Sequence, residues 1–128
     1  MAVDKEMSVL IVDDYKTMLR IIRNLLKQIG FTNVDEATDG KEAFAMAMGK
    51  TYGLIISDWN MEPMTGLQLL KEVRASDQIR QTPFIMITAE SKTENVIAAK
   101  EAGVNNYIVK PFNAETLRSK MGAVLGAF

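Results

Sequence analysis

The chain has 128 residues, with 15 Lys+Arg against 16 Asp+Glu and a formal net charge of -1. That length suits one compact domain with a real core and leaves little room for a second, and the balanced charge carries no electrostatic footprint for nucleic acid or an anionic membrane. Cys and His are both absent, which removes disulfides, zinc-thiolate sites, thiol nucleophiles, most imidazole chemistry and any phosphohistidine, so a reaction must run on carboxylates, amines and hydroxyls.

Ser8 to Val12 is an apolar strand running into Asp13 and Asp14. Met18, Leu19, Ile22, Leu25, Leu26 and Ile29 then recur at helical spacing, and Gly30 supplies the stop. Val34 to Ala37 predicts a second strand, followed by Asp39 and Glu42 at capping-box spacing and a helix through Phe44, Ala47 and Met48 to Gly49. Leu54 to Asn60, Leu-Ile-Ile-Ser-Asp-Trp-Asn, is an apolar run that stops at Asp58, the pattern of a strand buried on both faces. Thr65 and Gln68 form another capping pair, opening a helix with Leu67, Leu70 and Val73 on one face. Phe84 to Ile87 is a fourth strand, ending at Thr88. Ser91 and Glu94 cap an Ala-rich helix with Val96 and Ile97, which Gly103 terminates. Tyr107 to Val109 is the fifth strand, ending at Lys110-Pro111. Asn113 caps a last helix whose Leu117, Met121, Val124, Leu125 and Phe128 keep helical spacing.

Five strands alternating with five helices predict an α/β doubly wound sandwich: right-handed crossovers and a parallel sheet covered on both faces. One domain over residues 1–128 is expected, soluble and cytoplasmic, since no signal peptide or membrane-spanning run appears.

In such a sheet the carboxyl ends of all strands share one edge, which gathers Asp13, Asp14, Asp58, Thr88 and Lys110 at one rim. Three carboxylates and one ammonium sum to -2, and like charges about 4 Å apart repel by roughly 4 kcal/mol at an effective dielectric of about 20. The cluster therefore calls for a dication. A hard ion that prefers oxygen fits, and Mg²⁺ is expected on Asp14, Asp58 and the backbone carbonyl of Asn60, with Asp13 acting through water. The chemistry this permits is phosphoryl transfer: Asp58 as nucleophile, Lys110 neutralising the phosphoryl oxygens and Thr88 donating a hydrogen bond to one of them.

Asp13-Asp14, Asp58, Thr88-Ala89 and Lys110-Pro111-Phe112 resemble the response-regulator receiver family in order and spacing over practically the whole chain. Asp58-Trp59-Asn60-Met61, Thr88-Ala89-Glu90 and Tyr107 are most similar to its single-domain chemotaxis members. The resemblance implies a flavodoxin-like (βα)5 fold with strand order 2-1-3-4-5. It implies phosphorylation of Asp58 by a sensor histidine kinase, with Mg²⁺ held by Asp13, Asp14, Asp58 and the Asn60 carbonyl. It also implies a switch in which Thr88 moves toward the phosphoryl group and Tyr107 follows inward. That motion reshapes the face formed by the fourth helix, fifth strand and fifth helix for the flagellar motor switch protein. Asn60 and Glu90 occupy the positions that tune hydrolysis of the acyl phosphate. The sequence departs from the family where Glu62 separates Met61 from Pro63 and where Thr65 replaces a common aspartate, which implies a looser loop beside the metal.

Taken singly, Asp13 or Asp14 reads equally as a helix cap, Asp58 as a turn residue, Lys110 as surface charge and Tyr107 as packing. Four polar strand ends at the right spacing outweigh those readings together. The expected protein is a monomeric regulator that catalyses only its own phosphorylation and dephosphorylation, with no nucleic-acid or membrane partner. A phosphate sink that drains the kinase without binding the motor uses the same site. A Mg²⁺-dependent aspartyl-phosphate phosphatase typically needs a second acid two residues after the nucleophile, where Asn60 stands. A flavin or nucleotide binder lacks its Gly-rich loop after the first strand.

Overall fold

The computed structural model describes residues 4–89 and 93–126. Strands β1 (Val9–Val12), β2 (Val34–Ala37), β3 (Leu54–Asp58), β4 (Phe84–Thr88) and β5 (Asn106–Val109) alternate with helices α1 (Lys16–Ile29), α2 (Gly40–Gly49), α3 (Gly66–Ala75), α4 (Thr93–Glu101) and α5 (Ala114–Leu125). All pairings are parallel, in the order β2-β1-β3-β4-β5. This is the flavodoxin-like order that the receiver resemblance implies.

The three central strands are buried at every position, which is why their sequences read as unbroken apolar runs rather than alternating ones. Successive residues nevertheless feed opposite sides of the sheet. Val9, Ile11, Ile56 and Ile87 pack with Leu19, Ile22 and Leu26 of α1 and with Leu117 and Met121 of α5. Leu10, Ile55, Phe84 and Met86 pack instead with Ala43 and Ala47 of α2 and with Leu69, Leu70 and Val73 of α3. β2 is the outer strand on its side and buries only its two ends.

The helix ends follow the local chemistry, with two departures. Gly30 takes φ 110°, a left-handed cap, and its amide donates to the carbonyls of Leu26 and Lys27; a Cβ there would be strained. Thr65 and Gln68 complete a reciprocal capping box, and Asn113 accepts from the Thr116 amide. At α2, Asp39 accepts from the Glu42 amide, but the Glu42 carboxylate accepts from the amide of Thr38, one residue before the cap. The first helix has Tyr15 as its N-cap with no side-chain bond, so neither Asp13 nor Asp14 is the cap residue.

One expected apolar stripe shifts: in α3 Leu69 joins Leu70 and Val73 in the core while Leu67 is only partly buried. In the Ala-rich α4, Ile97 is 50% exposed while Ala99 is buried. The expected Ser91 cap and Phe128, the last position of the final stripe, lie outside the described residues. Among the described residues no helix is long and apolar enough to cross a membrane.

Candidate functional site

The parallel register brings the strand ends together as the sequence requires. β1 lies between β2 and β3, and β4 lies between β3 and β5. Asp58 stands beside Ile87, and Thr88 beside Val109. Backbone bonds continue the ladder past the strand ends: the Asp13 amide donates to Ala37, that of Trp59 to Ile87 at 2.8 Å, and that of Lys110 to Thr88 at 2.8 Å. The backbones that carry Asp13, Asp58, Thr88 and Lys110 are therefore held by the sheet.

Asp13, Asp58 and Thr88 are almost fully buried, at 2%, 4% and 5% exposure, whereas Asp14 is exposed. One carboxylate oxygen from each of Asp13, Asp14 and Asp58 lies within 4.8 Å of the others. The Lys110 ammonium sits 2.9 Å from Asp58 Oδ1, a contact of opposite charges without the alignment of a hydrogen bond. Asp13 Oδ1 accepts from the Tyr15 amide at 2.9 Å, which orients the carboxylate at the mouth of α1. Its other oxygen, Oδ2, is buried with no hydrogen-bond partner.

Burial pushes the Asp13 carboxyl up to about 6; the Tyr15 amide opposes this, and the charge of Asp58 adds to it. A buried carboxylate oxygen left without a partner costs about 1–3 kcal/mol or more. The donor set around it is all hard oxygen, with no thiolate or imidazole in the chain, and that set suits Mg²⁺ better than zinc.

Other expected site residues lie close by. Asn60 is exposed, two residues beyond Asp58. Tyr107 is half-buried and lines one small pocket with Thr88, Trp59, Met86 and the α4 residues Asn95, Val96 and Ala99. The Lys120 ammonium lies 5.3 Å from the centre of the Tyr107 ring. Glu90 lies outside the described residues.

Sequence reasoning passed over Gly66. It opens α3 pressed against the phosphoacceptor candidate: a Cβ there would collide with the Asp58 carbonyl oxygen and come 2.7 Å from Met86 Sδ. Its amide donates to the Trp59 carbonyl at 2.9 Å, so the loop after β3 is closed on itself behind Asp58. A glycine in the first turn of a helix costs propensity, and that cost was the signal available.

A parallel sandwich that gathers three carboxylates, an ammonium and a hydroxyl at one sheet edge has the makings of a receiver, and the family model for the response regulator receiver domain matches residues 9–122. The chain belongs to that family, whose members are phosphorylated on an aspartate. Among its relatives, it is 48% identical over 121 residues to chemotaxis protein CheY-3 of Vibrio cholerae, covering 94% of this chain and 93% of the relative. It is 49% identical over 115 residues to chemotaxis protein CheY of Pseudomonas aeruginosa, covering 90% and 93%. Among solved structures, Vibrio cholerae CheY4 crystallised at pH 4.0 superposes with a TM-score of 0.88 at 38% identity, covering 94% of this chain and 99% of that one. The receiver domain of a sensor histidine kinase from Pseudomonas aeruginosa, with a magnesium ion coordinated in its active site cleft, gives 0.86 at 26% identity, covering 95% and 99%.

Proposed function

We propose that this chain acts as a chemotaxis response regulator that accepts a phosphoryl group from a histidine kinase on Asp58. The observation that carries the reading is the buried Asp58 carboxylate, paired with Lys110 at 2.9 Å and crowded by Asp13 and Asp14. An oxygen of Asp58 attacks phosphorus, the bond from phosphorus to the donor imidazole nitrogen breaks, and its electron pair stays on the imidazole. Lys110 faces the phosphoryl oxygens with a fixed positive charge, and the Thr88 hydroxyl donates to one of them. Oxygens of Asp13, Asp14, Asp58 and the Asn60 carbonyl would hold Mg²⁺, which when bound would supply further positive charge against the phosphoryl group.

The pocket shared by Thr88, Tyr107 and α4 supports an inward move of Tyr107 once Thr88 is drawn to the phosphoryl group. The face of α4, β5 and α5 would then meet the flagellar motor switch. Asn60 and Glu90 are assigned to tuning hydrolysis, and the protein to a monomer acting in the cytoplasm as a regulator.

Trp59 adjoins Asp58 and is partly buried, so its fluorescence reports the site. With Mg²⁺ and a small phosphodonor the signal is expected to change, and Asp58→Asn is expected to abolish that change. A signal that persists in Asp58→Asn, or wild-type protein that gains no phosphoryl mass, overturns the phosphoacceptor assignment. Motor output is tested separately: a motor-switch peptide should be retained more strongly with beryllofluoride than without, and equal retention assigns the chain to a phosphate sink.

A further inference from the structure

α1 carries four cations, Lys16, Arg20, Arg23 and Lys27, and no carboxylate. Steps of four, three and four residues place them within an arc of about 60° at 100° per residue, one stripe down the helix. The whole chain has a net charge of -1, so the stripe is a local concentration of one sign. Lys16, Arg20 and Lys27 are exposed and, among the described residues, none of the three joins an ion pair.

Arg23 is engaged differently. Its guanidinium bonds the Glu36 carboxylate at 2.6 Å and the Val34 carbonyl at 2.9 Å, both on β2, the free edge of the sheet. The amides of Val9 and Asp13 take the carbonyls of Asn33 and Ala37, so the alternate carbonyl of Val34 is the one that faces outward. Arg23 occupies it, which blocks addition of a further strand there. Two hollows meet at Arg23, one lined with Lys16 and Arg20 and the other with Lys27.

We propose that the groove between α1 and β2 docks an acidic helix of a partner protein, whose carboxylates at three- and four-residue spacing meet Lys16, Arg20 and Lys27. Charge complementarity selects an acidic occupant, and the capped edge selects a helix over a strand. The chain as a whole has a net charge of -1 and so no long-range attraction for an extended polyphosphate, which leaves a short acidic protein segment as the occupant. The inference rests on none of the phosphoryl chemistry.

The probe is a synthetic helical peptide with Glu at positions 1, 5, 8 and 12 of the stripe, titrated into ¹⁵N-labelled full chain. Amide shifts are expected along α1 and β2, weakening with salt. The exposed double substitution Arg20→Glu with Lys27→Glu should reduce affinity at least tenfold while leaving the thermal midpoint in place, and a peptide with Lys in place of Glu should regain binding to that variant. The proposal fails if a scrambled acidic peptide or a short DNA duplex binds as tightly, if the shifts lie elsewhere, or if the charge reversal changes nothing.

Discussion

At the scale of single residues, Asp13 links structure to pH. Its carboxyl rises from 3.8 to about 6 on folding, so the native state favours the protonated form. The stability it contributes is fully present below pH 3.8 and is lost as pH rises through about 6, a loss of about 3 kcal/mol for two units. In EDTA, the urea midpoint of the wild type should fall more between about pH 4 and about pH 7 than that of Asp13→Asn, which should stay nearly level. An identical slope in both proteins would place the cost on another group. Gly66 gives an opposite pair of expectations. Helix propensity alone makes Gly66→Ala stabilising by about 1 kcal/mol, whereas the collision with the Asp58 carbonyl makes it destabilising by about 2 kcal/mol. Urea denaturation decides the sign, and a stabilised variant would show that α3 can move off β3. The two residues also differ in how far the sequence disclosed them. Asp13 was legible because a carboxylate ending an apolar run marks a strand end; its burial, beside an exposed Asp14, depends on through-space neighbours that no local pattern records.

Between elements, Arg74 ties the end of the molecule opposite the site. From α3 its guanidinium donates to the carbonyls of Arg80, Thr82 and Gly103 and to Asn105 Oδ1, and that same Asn105 oxygen accepts from the Phe84 amide at the start of β4. One planar side chain thus joins α3, the approach to β4 and the turn into β5. Arg74→Ala should cost about 3 kcal/mol in chemical denaturation, and Arg74→Lys should recover little, because an ammonium cannot reproduce the fork. Full recovery by lysine would mean that charge rather than geometry holds the clamp. Nothing in the sequence distinguished this arginine from a solvated one. Caps and strand runs were readable because they depend on residues three or four apart. Arg74 reaches Gly103 and Asn105 across a distance that periodicity does not span, and an Ala-rich helix such as α4 offers too little contrast between its faces for the sequence to show which side is buried.

For the molecule as a whole, the alternation of strands and helices was enough to predict a parallel sandwich with the polar strand ends at one rim. It did not order the strands; that came from the receiver resemblance, since alternation permits several right-handed windings. Stability is unevenly spread over the result. β3 is buried at every position, whereas among the described α4 side chains only Ala99 is buried. Hydrogen exchange should therefore find α4 amides exchanging roughly a hundredfold faster than those of β3 through local opening. Equal protection would show α4 to be part of the global unfolding unit.

The division of the core into two apolar clusters, one under α1 and α5 and one under α2 and α3, bears on how such a protein diversifies. Among the described residues the buried side chains of the two flanks form separate clusters, so drift in one flank burdens the other chiefly through the strand backbones between them. A lineage can refashion the surface it shows to a listener while the opposite flank keeps its old interlocutor, and a hybrid that exchanges helices on one flank alone inherits two histories without a seam in its packing.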